Sequence, residues 1–600
     1  MKLSRSLRAV LYALLLGTTT STTTNAEASF PSQDVSARSL ATRQQAGTVS
    51  SKNFLRRAYH ASAVVGDWVY IDGGEFSYTV NGGPAVFQYL SSTLSINMSS
   101  SWSNSSVVLQ STSKPVGVPS LISSSLWWDV GDEVLYSGFA GQSSAFGDAP
   151  PASNLSLWAL KPDNQGGGSW SLAIDPGAAT WDSLTRPCQA TMAFGPVNAL
   201  VLGGVETSLS APSTANIDSS AMIPVPGLVT FDMTTKQFTN TSAAGYDFNG
   251  TVERGAMLHV PSFGPDSLFV AFGGDISPLT TYTPGSNSQS FANIKVYDPA
   301  GQKWYNQTAT GNIPEPRIQF CATGVNSTNG TYEIFIYAGW GSNLGAAAIP
   351  FDEVYILTLP AFYWTKVQYA PSNPRHGHTC HTVGNRQMLI IGGVDSTQAE
   401  PTGSAQNLDQ TTFTTPDTFT QGLGIFDLTS LTFSDSYDAN AAPYEQSAPI
   451  REYYASNPKQ PKAWDSPGLE TLFKSTHFTQ APPPKTSSTA SPSNSASSSS
   501  PSPSRSNTGA IAGGVVGGVA GVAIIAGLAA FLLVRRRRRQ AQCVNESRPI
   551  YNELAQSHPA EMDSQGIPLG NKHYEKPILE MDARGPPVPA KEPRNRSELE

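Results

Sequence analysis

The sequence predicts an all-β fold, a β-propeller of six radially arranged four-stranded sheets, and three observations carry that prediction. The first is composition. The chain has 600 residues, of which 39% are hydrophobic and only 14% charged, with 52 Gly and 45 Pro. Ser, Thr, Gly, Asn and Pro fill the gap, a mixture that favours short strands and turns over long helices. The second is the length of the apolar runs, mostly 4 to 6 residues, which suits buried strands. The third is a repeat. The same figures exclude a coiled coil, a disulfide-dense miniprotein (4 Cys) and a basic nucleic-acid binder (net charge −8).

Each unit of the repeat reads as an Arg, a short apolar strand, a polar turn, a second apolar strand ending in glycine, a variable loop, and an apolar strand followed by an aromatic. The second strands end at Gly74, Gly138, Gly204, Gly274, Gly339 and Gly393, spaced 64, 66, 70, 65 and 54 residues apart. Arg57, Arg186, Arg254, Arg317 and Arg375 precede five of them by 17 to 22 residues, and the second unit has none. Trp102, Trp170, Phe238, Trp304, Trp364 and Phe433 fill the aromatic position, with Asp232, Asp298 and Asp427 six residues earlier in three units. Glycine allows a sharp turn and close packing, and the aromatic supplies a large face to bury. One such sheet cannot bury both faces; six in a ring can, and they leave few open edges. A seventh unit before Arg57 or after Tyr437 stays open at this point.

The ordered combination of Gly-Gly, Tyr-Asp and Trp resembles the kelch repeat, over about Arg57 to Tyr437. The resemblance implies a kelch β-propeller with long loops at 205–227, 275–290 and 394–420, because the spacing exceeds the usual period of about 50. The whole layout is similar to fungal cell-surface kelch proteins, and Trp464 to Phe473 looks like their closing stretch. That resemblance implies a protein-binding role and places the propeller at 51–440, after a lead segment 29–50 and before a closing extension 441–479.

The two ends read as targeting and anchoring segments. Lys2, Arg5 and Arg8 precede a short apolar run and Ala26-Glu27-Ala28, the pattern of a signal peptide over 1–28. Residues 510–534 carry no charge and would extend about 37 Å as a helix, enough to cross a bilayer core of about 30 Å. Arg535, Arg536, Arg537, Arg538 and Arg539 follow at once as a stop-transfer cluster on the cytoplasmic side. The expectation is a single-pass type I plasma-membrane protein at the cell surface, N-terminus outside. Residues 1–28 hold 3 basic and 1 acidic side chains and 535–600 hold 12 and 10, each +2; the total of −8 therefore leaves −12 for 29–534. An acidic exterior disfavours nucleic acid as a partner.

Between propeller and span, 480–508 is Ser/Thr/Pro-rich and reads as an extended, O-glycosylated stalk. Gly513, Gly514, Gly517, Gly518 and Gly521 give three overlapping GxxxG patterns, which either pair two spans as a homodimer or reflect only a glycine-rich helix. The tail 535–600 is expected to be disordered. Pro586, Pro589 and Lys591 fit a polyproline ligand for a cytoplasmic adaptor, and Tyr551 to Leu554 fit a sorting signal. Cys543, four residues past the Arg cluster, is a candidate for lipidation or a free reduced thiol.

Eight sequons fall outside the membrane, at Asn97, Asn104, Asn154, Asn240, Asn249, Asn306, Asn326 and Asn329, and mark the expected glycoprotein. Asn545 and Asn595 begin sequons on the inner side and are expected bare. Cys321 and Cys380 sit four and five residues after their arginines, so adjacent blades would bring them within bridging distance as a disulfide. Cys188 is left over.

No catalytic set, metal site or cofactor is expected. His376, His378 and Cys380 share one face of a strand, a geometry open to a metal, but no carboxylate or second cluster joins them. Tyr59-His60 with His376 or His378 allows a galactose-oxidase-like copper radical oxidase as an alternative, yet no cysteine can be placed for the thioether and no C-terminal sheet domain follows. The five arginines either ring one end of the propeller, where they would bind an acidic ligand, or act as structural donors between blades. The reading these features favour is a surface binding protein for an extracellular protein or a wall polysaccharide; the alternative is a structural wall-to-membrane tether.

Overall fold

The computed structural model describes residues 49–174, 184–280, 287–341, 351–398 and 410–478. The expected signal peptide, stalk, span and tail, with the arginine cluster, Cys543 and the Pro586–Lys591 motif, lie outside the described residues. Residues from 486 onward form a separate unit, all of it outside them.

Six four-stranded antiparallel meanders follow one another along the chain. The first comprises Ala61–Val65, Trp68–Asp72, Ser92–Asn97 and Gln110–Ser113. The second comprises Leu126–Asp129, Val134–Ser137, Leu157–Pro162 and Gly168–Ile174. The remaining four begin at Thr191–Phe194, Ala256–Val260, Cys321–Asn326 and Thr379–Val383. Their first strands lie side by side around a central channel, and the sixth lies against the first. A further strand, Thr310–Gly311, runs parallel to the last strand of the fifth blade.

The closing aromatics explain why the outer hairpins form. Phe231 pairs with Phe238, Tyr297 with Trp304 and Phe426 with Phe433 across the third and fourth strands, with ring centroids 4.4, 4.9 and 4.9 Å apart. Such a cross-strand pair contributes about 0.2–1 kcal/mol beyond burial. The Asp that follows the first ring caps the turn: Asp232 accepts from the Thr234 and Thr235 amides, and Asp427 from Thr429 and Ser430. Trp102 departs from the expected pattern. It lies before the fourth strand of the first blade, and its short strand Trp102–Ser103 pairs with Ser436–Tyr437 instead.

The glycines mark the bend where each second strand leaves its blade. A Cβ on Gly74 would lie 2.6 Å from the Ala58 carbonyl, and one on Gly274 2.6 Å from that of Glu253, with φ of +83° and +81°. In the second blade the equivalent glycine is Gly141 (φ +111°), whose Cβ would lie 2.7 Å from the Ile122 carbonyl; Gly138 lies three residues earlier. The close approach serves a hydrogen bond. The amides of Gly74, Gly141, Gly204, Gly274 and Gly339 donate to the carbonyls of Leu121, Pro187, Val252, Arg317 and Arg375 on the next blade, at 2.8–3.2 Å. Gly393 completes the set by donating to Arg57 at 2.6 Å, so the ring closes at six blades, without exchanging a strand.

In a meander of this kind, the connections from second to third strand and from one blade to the next share one face. The short turns share the other. A C-terminal extension packs on the turn face. Its helices are α1, Ala448–Ser456, and α2, Pro467–Lys474. Ser466 caps α2 by accepting from the Leu469 amide, and Leu469 and Phe473, four apart, are buried. Phe473 packs its ring tilted against Phe263 and edge-on against Phe362, with centroids 4.7 and 5.1 Å apart, in turns of the fourth and fifth blades respectively. The described chain ends there, with the His477 amide donating to Ser262.

Candidate functional site

The candidate site is the central channel, a cavity of about 530 Å³. Six residues ring its mouth on the loop-bearing face: Tyr59, Ser123, Gln189, Arg254, Gln319 and Gly377. All six have left-handed backbone, with φ between +49° and +68°. Around this ring five of the six amides donate to the carbonyl of the ring residue one blade before: Ser123 to Tyr59, Arg254 to Gln189, Gln319 to Arg254 and Gly377 to Gln319, with Tyr59 bonding back to Gly377 across the closure. The bonds are 2.7–3.0 Å long. Five of the six are not glycine, a conformation that carries backbone strain and is held by the surrounding ladder.

Side chains at the mouth are paired. Arg254 Nε donates to Gln189 Oε1 at 2.5 Å, Trp340 Nε1 to Gln319 Oε1 at 3.0 Å, and Tyr59 Oη meets His376 Nε2 at 3.3 Å. Arg254 is the single formal charge among the cavity-lining residues, which include no Asp or Glu.

Deeper in, the wall has two characters. Val64, Trp127, Met192, Phe194, Met257 and Leu258 form an apolar side on the first four blades. A polar seam joins the sixth blade to the first. His60 Nε2 meets Thr379 Oγ1 at 3.0 Å, Ser62 Oγ donates to Thr379 Oγ1 at 2.6 Å, and His381 Nε2 meets Ser62 Oγ at 2.7 Å. Burial holds these imidazoles neutral: desolvation lowers His60 to about 3 and His381 to about 4, with Arg57 adding to the effect on His60. His378 is lowered well below its usual value by burial and by Arg375. Beside the seam, Cys321 and Cys380 are joined by a disulfide that ties the first strands of the fifth and sixth blades, S–S 2.13 Å and Cα–Cα 5.6 Å. Cys188 is buried as a free thiol, and burial pushes it up to about 12.

The arginines do not form a ring around the mouth. Only Arg254 lines the cavity, two residues beyond the position of Arg57, Arg317 and Arg375 in their units. The other four are at most 2% exposed. Arg186 donates to four backbone carbonyl groups, those of Gly138, Ser153, Asn154 and Ser210. Arg317 pairs with Glu353 at 2.8 Å, and Arg375 makes a two-pronged pair with Asp417 at 2.9 and 3.1 Å. These three are structural donors, the second of the two roles the sequence leaves open, whereas Arg57 lies over the Phe54 ring at 5.2 Å and its Nε and Nη1 have no hydrogen-bond partner.

The residues proposed for metal chemistry do not converge. His376 Nδ1 is hydrogen-bonded to Ser396, His378 Nε2 to the Tyr337 carbonyl, and Cys380 is in the disulfide. Among the described residues no three His, Cys, Asp or Glu side chains could hold one ion. Tyr59 does meet His376, but neither has a thiol beside it to cross-link, so the set does not fit a copper radical site.

The sequons divide by exposure. Asn154, Asn240 and Asn329 are exposed, and Asn97, Asn249, Asn306 and Asn326 are half-buried. Asn104 is 3% exposed, and its amide nitrogen donates to the Leu423 carbonyl and to Asp435, so this packing leaves no room for a glycan there. Among the described residues no helix is long and apolar enough to cross a membrane.

No family model matches the chain. Over 445 residues, 68% of its length, it is 24% identical to a "Kelch repeat-containing protein" of Arthroderma benhamiae. The chain spans about 60% of that relative's length. A shorter stretch of 128 residues, 20% of the chain, is 29% identical to 12% of "Serine/threonine-protein phosphatase BSL2" of Arabidopsis thaliana. The six antiparallel sheets and the long similarity together fit a kelch propeller.

Proposed function

We propose that this protein is a cell-surface binding protein whose propeller turns its loop-bearing face to an extracellular protein or wall polysaccharide. One observation carries the reading. The channel mouth and the long connections lie on one face, while the described chain ends at Phe478 on the other, against Phe263. A stalk and span continuing from Phe478 would hold the mouth away from the membrane. The kelch-type similarity supports binding in place of catalysis, although a fold hosts many functions. In this reading the tail recruits an adaptor through Pro586, Pro589 and Lys591, and the glycine-rich span pairs two copies. Screening the full-length chain on arrays of extracellular proteins and wall polysaccharides tests it. A saturable ligand whose binding is lost when loop 205–227 is shortened is the expected result; binding that survives shortening of each long loop contradicts it.

The tether reading differs in the tail alone. Truncation after Arg539 leaves a tether's phenotype unchanged and abolishes that of a sensor.

A further inference from the structure

Phe248 is the one exposed aromatic ring among the described residues, at 92% exposure, and no described ring packs on it. A lone exposed apolar side chain is ordinary. Its place in the chain is not. The Gly250 amide donates to the Asp247 carbonyl at 3.0 Å, closing a β-turn whose two central residues are Phe248 and Asn249. Ring and side-chain amide therefore stand next to each other at the tip of one turn. Asn249, Gly250 and Thr251 form a sequon. Aromatic rings near two other sequons are already taken: Phe238, two residues before Asn240, lies on Phe231, and Trp304, two before Asn306, on Tyr297.

The turn is held from below, so its tip is a fixed platform. Asp247 accepts from the Asn249 amide at 3.0 Å. Tyr246 is buried, its hydroxyl accepting from Gln289 at 2.7 Å, and Thr251 Oγ1 donates to the Ser277 carbonyl at 2.6 Å. Asn249 also has room. It lines a cleft of about 660 Å³ together with Asp247, Asn287, Ser290, Asn293 and Lys295, groups that can meet the hydroxyls of a sugar. Asn104, packed at 3% exposure, has no such space. Asn249 Nδ2 directs one hydrogen to the Ser277 carbonyl, at 3.4 Å, and keeps the other for a new bond.

We propose that Asn249 carries an N-linked glycan whose first sugar lies with its C–H face on the Phe248 ring and its polar edge toward the cleft. In forming it, Nδ2 gives up one proton and bonds the anomeric carbon of the first N-acetylglucosamine, which leaves its lipid pyrophosphate carrier. The face of an aromatic ring is negative and attracts polarised C–H groups. The inference rests on the secretory route of the proposed function. The docked sugar covers the exposed ring on the connection that leads from the third blade to Arg254 at the mouth.

The full-length chain, produced in a eukaryotic host that adds high-mannose glycans, provides the test. Glycopeptide mass spectrometry should find Asn249 occupied. Endoglycosidase H cuts between the first two sugars. In the folded protein it should trim Asn249 about fivefold or more slowly than the exposed sites Asn154, Asn240 and Asn329, because a sugar held on the ring must first lift off. Phe248→Ala should speed trimming at Asn249 about fivefold and leave the exposed sites unchanged, and Phe248→Tyr should keep it slow. Trimming as fast as at the exposed sites, or a slow rate that Phe248→Ala does not alter, overturns the proposal. An empty Asn249 beside occupied exposed sites overturns it and leaves the secretory reading standing. Sequons bare throughout overturn both.

Discussion

Gly74 shows how a single residue sets the architecture. Its amide reaches the next blade's Leu121 carbonyl at 2.8 Å only because no Cβ stands between it and Ala58. Gly74→Ala is expected to destabilise the protein by about 2 kcal/mol or more, through the left-handed backbone and the blocked approach, measured by denaturant unfolding. Arg375 and Asp417 carry a larger stake. Both side chains are 1% exposed. Arg375→Met removes the two-pronged partner of buried Asp417 and leaves it only Arg56, at 3.9 Å, and the Phe419 amide, so the expected loss is about 3 kcal/mol. At this scale the sequence was partly informative. The repeated arginine is visible, but Arg254 looks like a member of the set and is instead the cavity's only charge. A shift of two residues decides that, and spacing alone does not reveal it.

At the scale of elements, the strands and their bends were legible because glycine and aromatic side chains leave strong marks. The mouth ring was not. Its members are Tyr59, Ser123, Gln189, Arg254, Gln319 and Gly377, six positions sharing a backbone conformation and almost no chemistry, so no sequence pattern marks them. Gly141 was hidden for a related reason: Phe139 and Ala140 separate it from Gly138, breaking the pair. Trp102 took the aromatic spacing but joined another short sheet, with Tyr437, where tertiary pairing outweighed the local repeat. The disulfide between the fifth and sixth blades closes a sequence separation of 59 residues. Replacing both cysteines with serine should lower stability by about 2–5 kcal/mol, read from the unfolding midpoint at constant m-value, with the six-bladed fold retained.

The whole molecule should respond to pH through two opposed sets of buried groups. Burial raises Glu75 and Glu253 from the usual 4.5 to about 8, and Glu333 to about 7; the neighbouring Asp275 adds to the effect on Glu253. These hold protons in the folded state that the unfolded chain gives up, so stability falls as pH rises from about 4.5 toward 8. His60 and His376 are lowered by burial from 6.5 to about 3, and His259 and His381 to about 4. The unfolded chain binds their protons first, so stability is lost as pH falls from 6.5 toward 3. The histidines outnumber the carboxyls below about 6.5, and the carboxyls act alone above it. Maximum stability is therefore expected near pH 6.5, with a fall by pH 8, checked by urea unfolding across that range. A plateau from 6.5 to 8 would mean that the three glutamates are ionised in the fold.

In the proposed function the loop-bearing face of the propeller is the one that binds. Hydrogen exchange of the full-length chain, with and without a solubilised wall polysaccharide fraction, reads it directly. Added protection is expected at the loop face, in the connections 205–227 and 242–255 and at the mouth residues Gln189, Arg254 and Gln319. The short turns 163–167 and 233–236 and helices α1 and α2 should not change. Protection confined to those turns and helices, with none at the mouth, would contradict it.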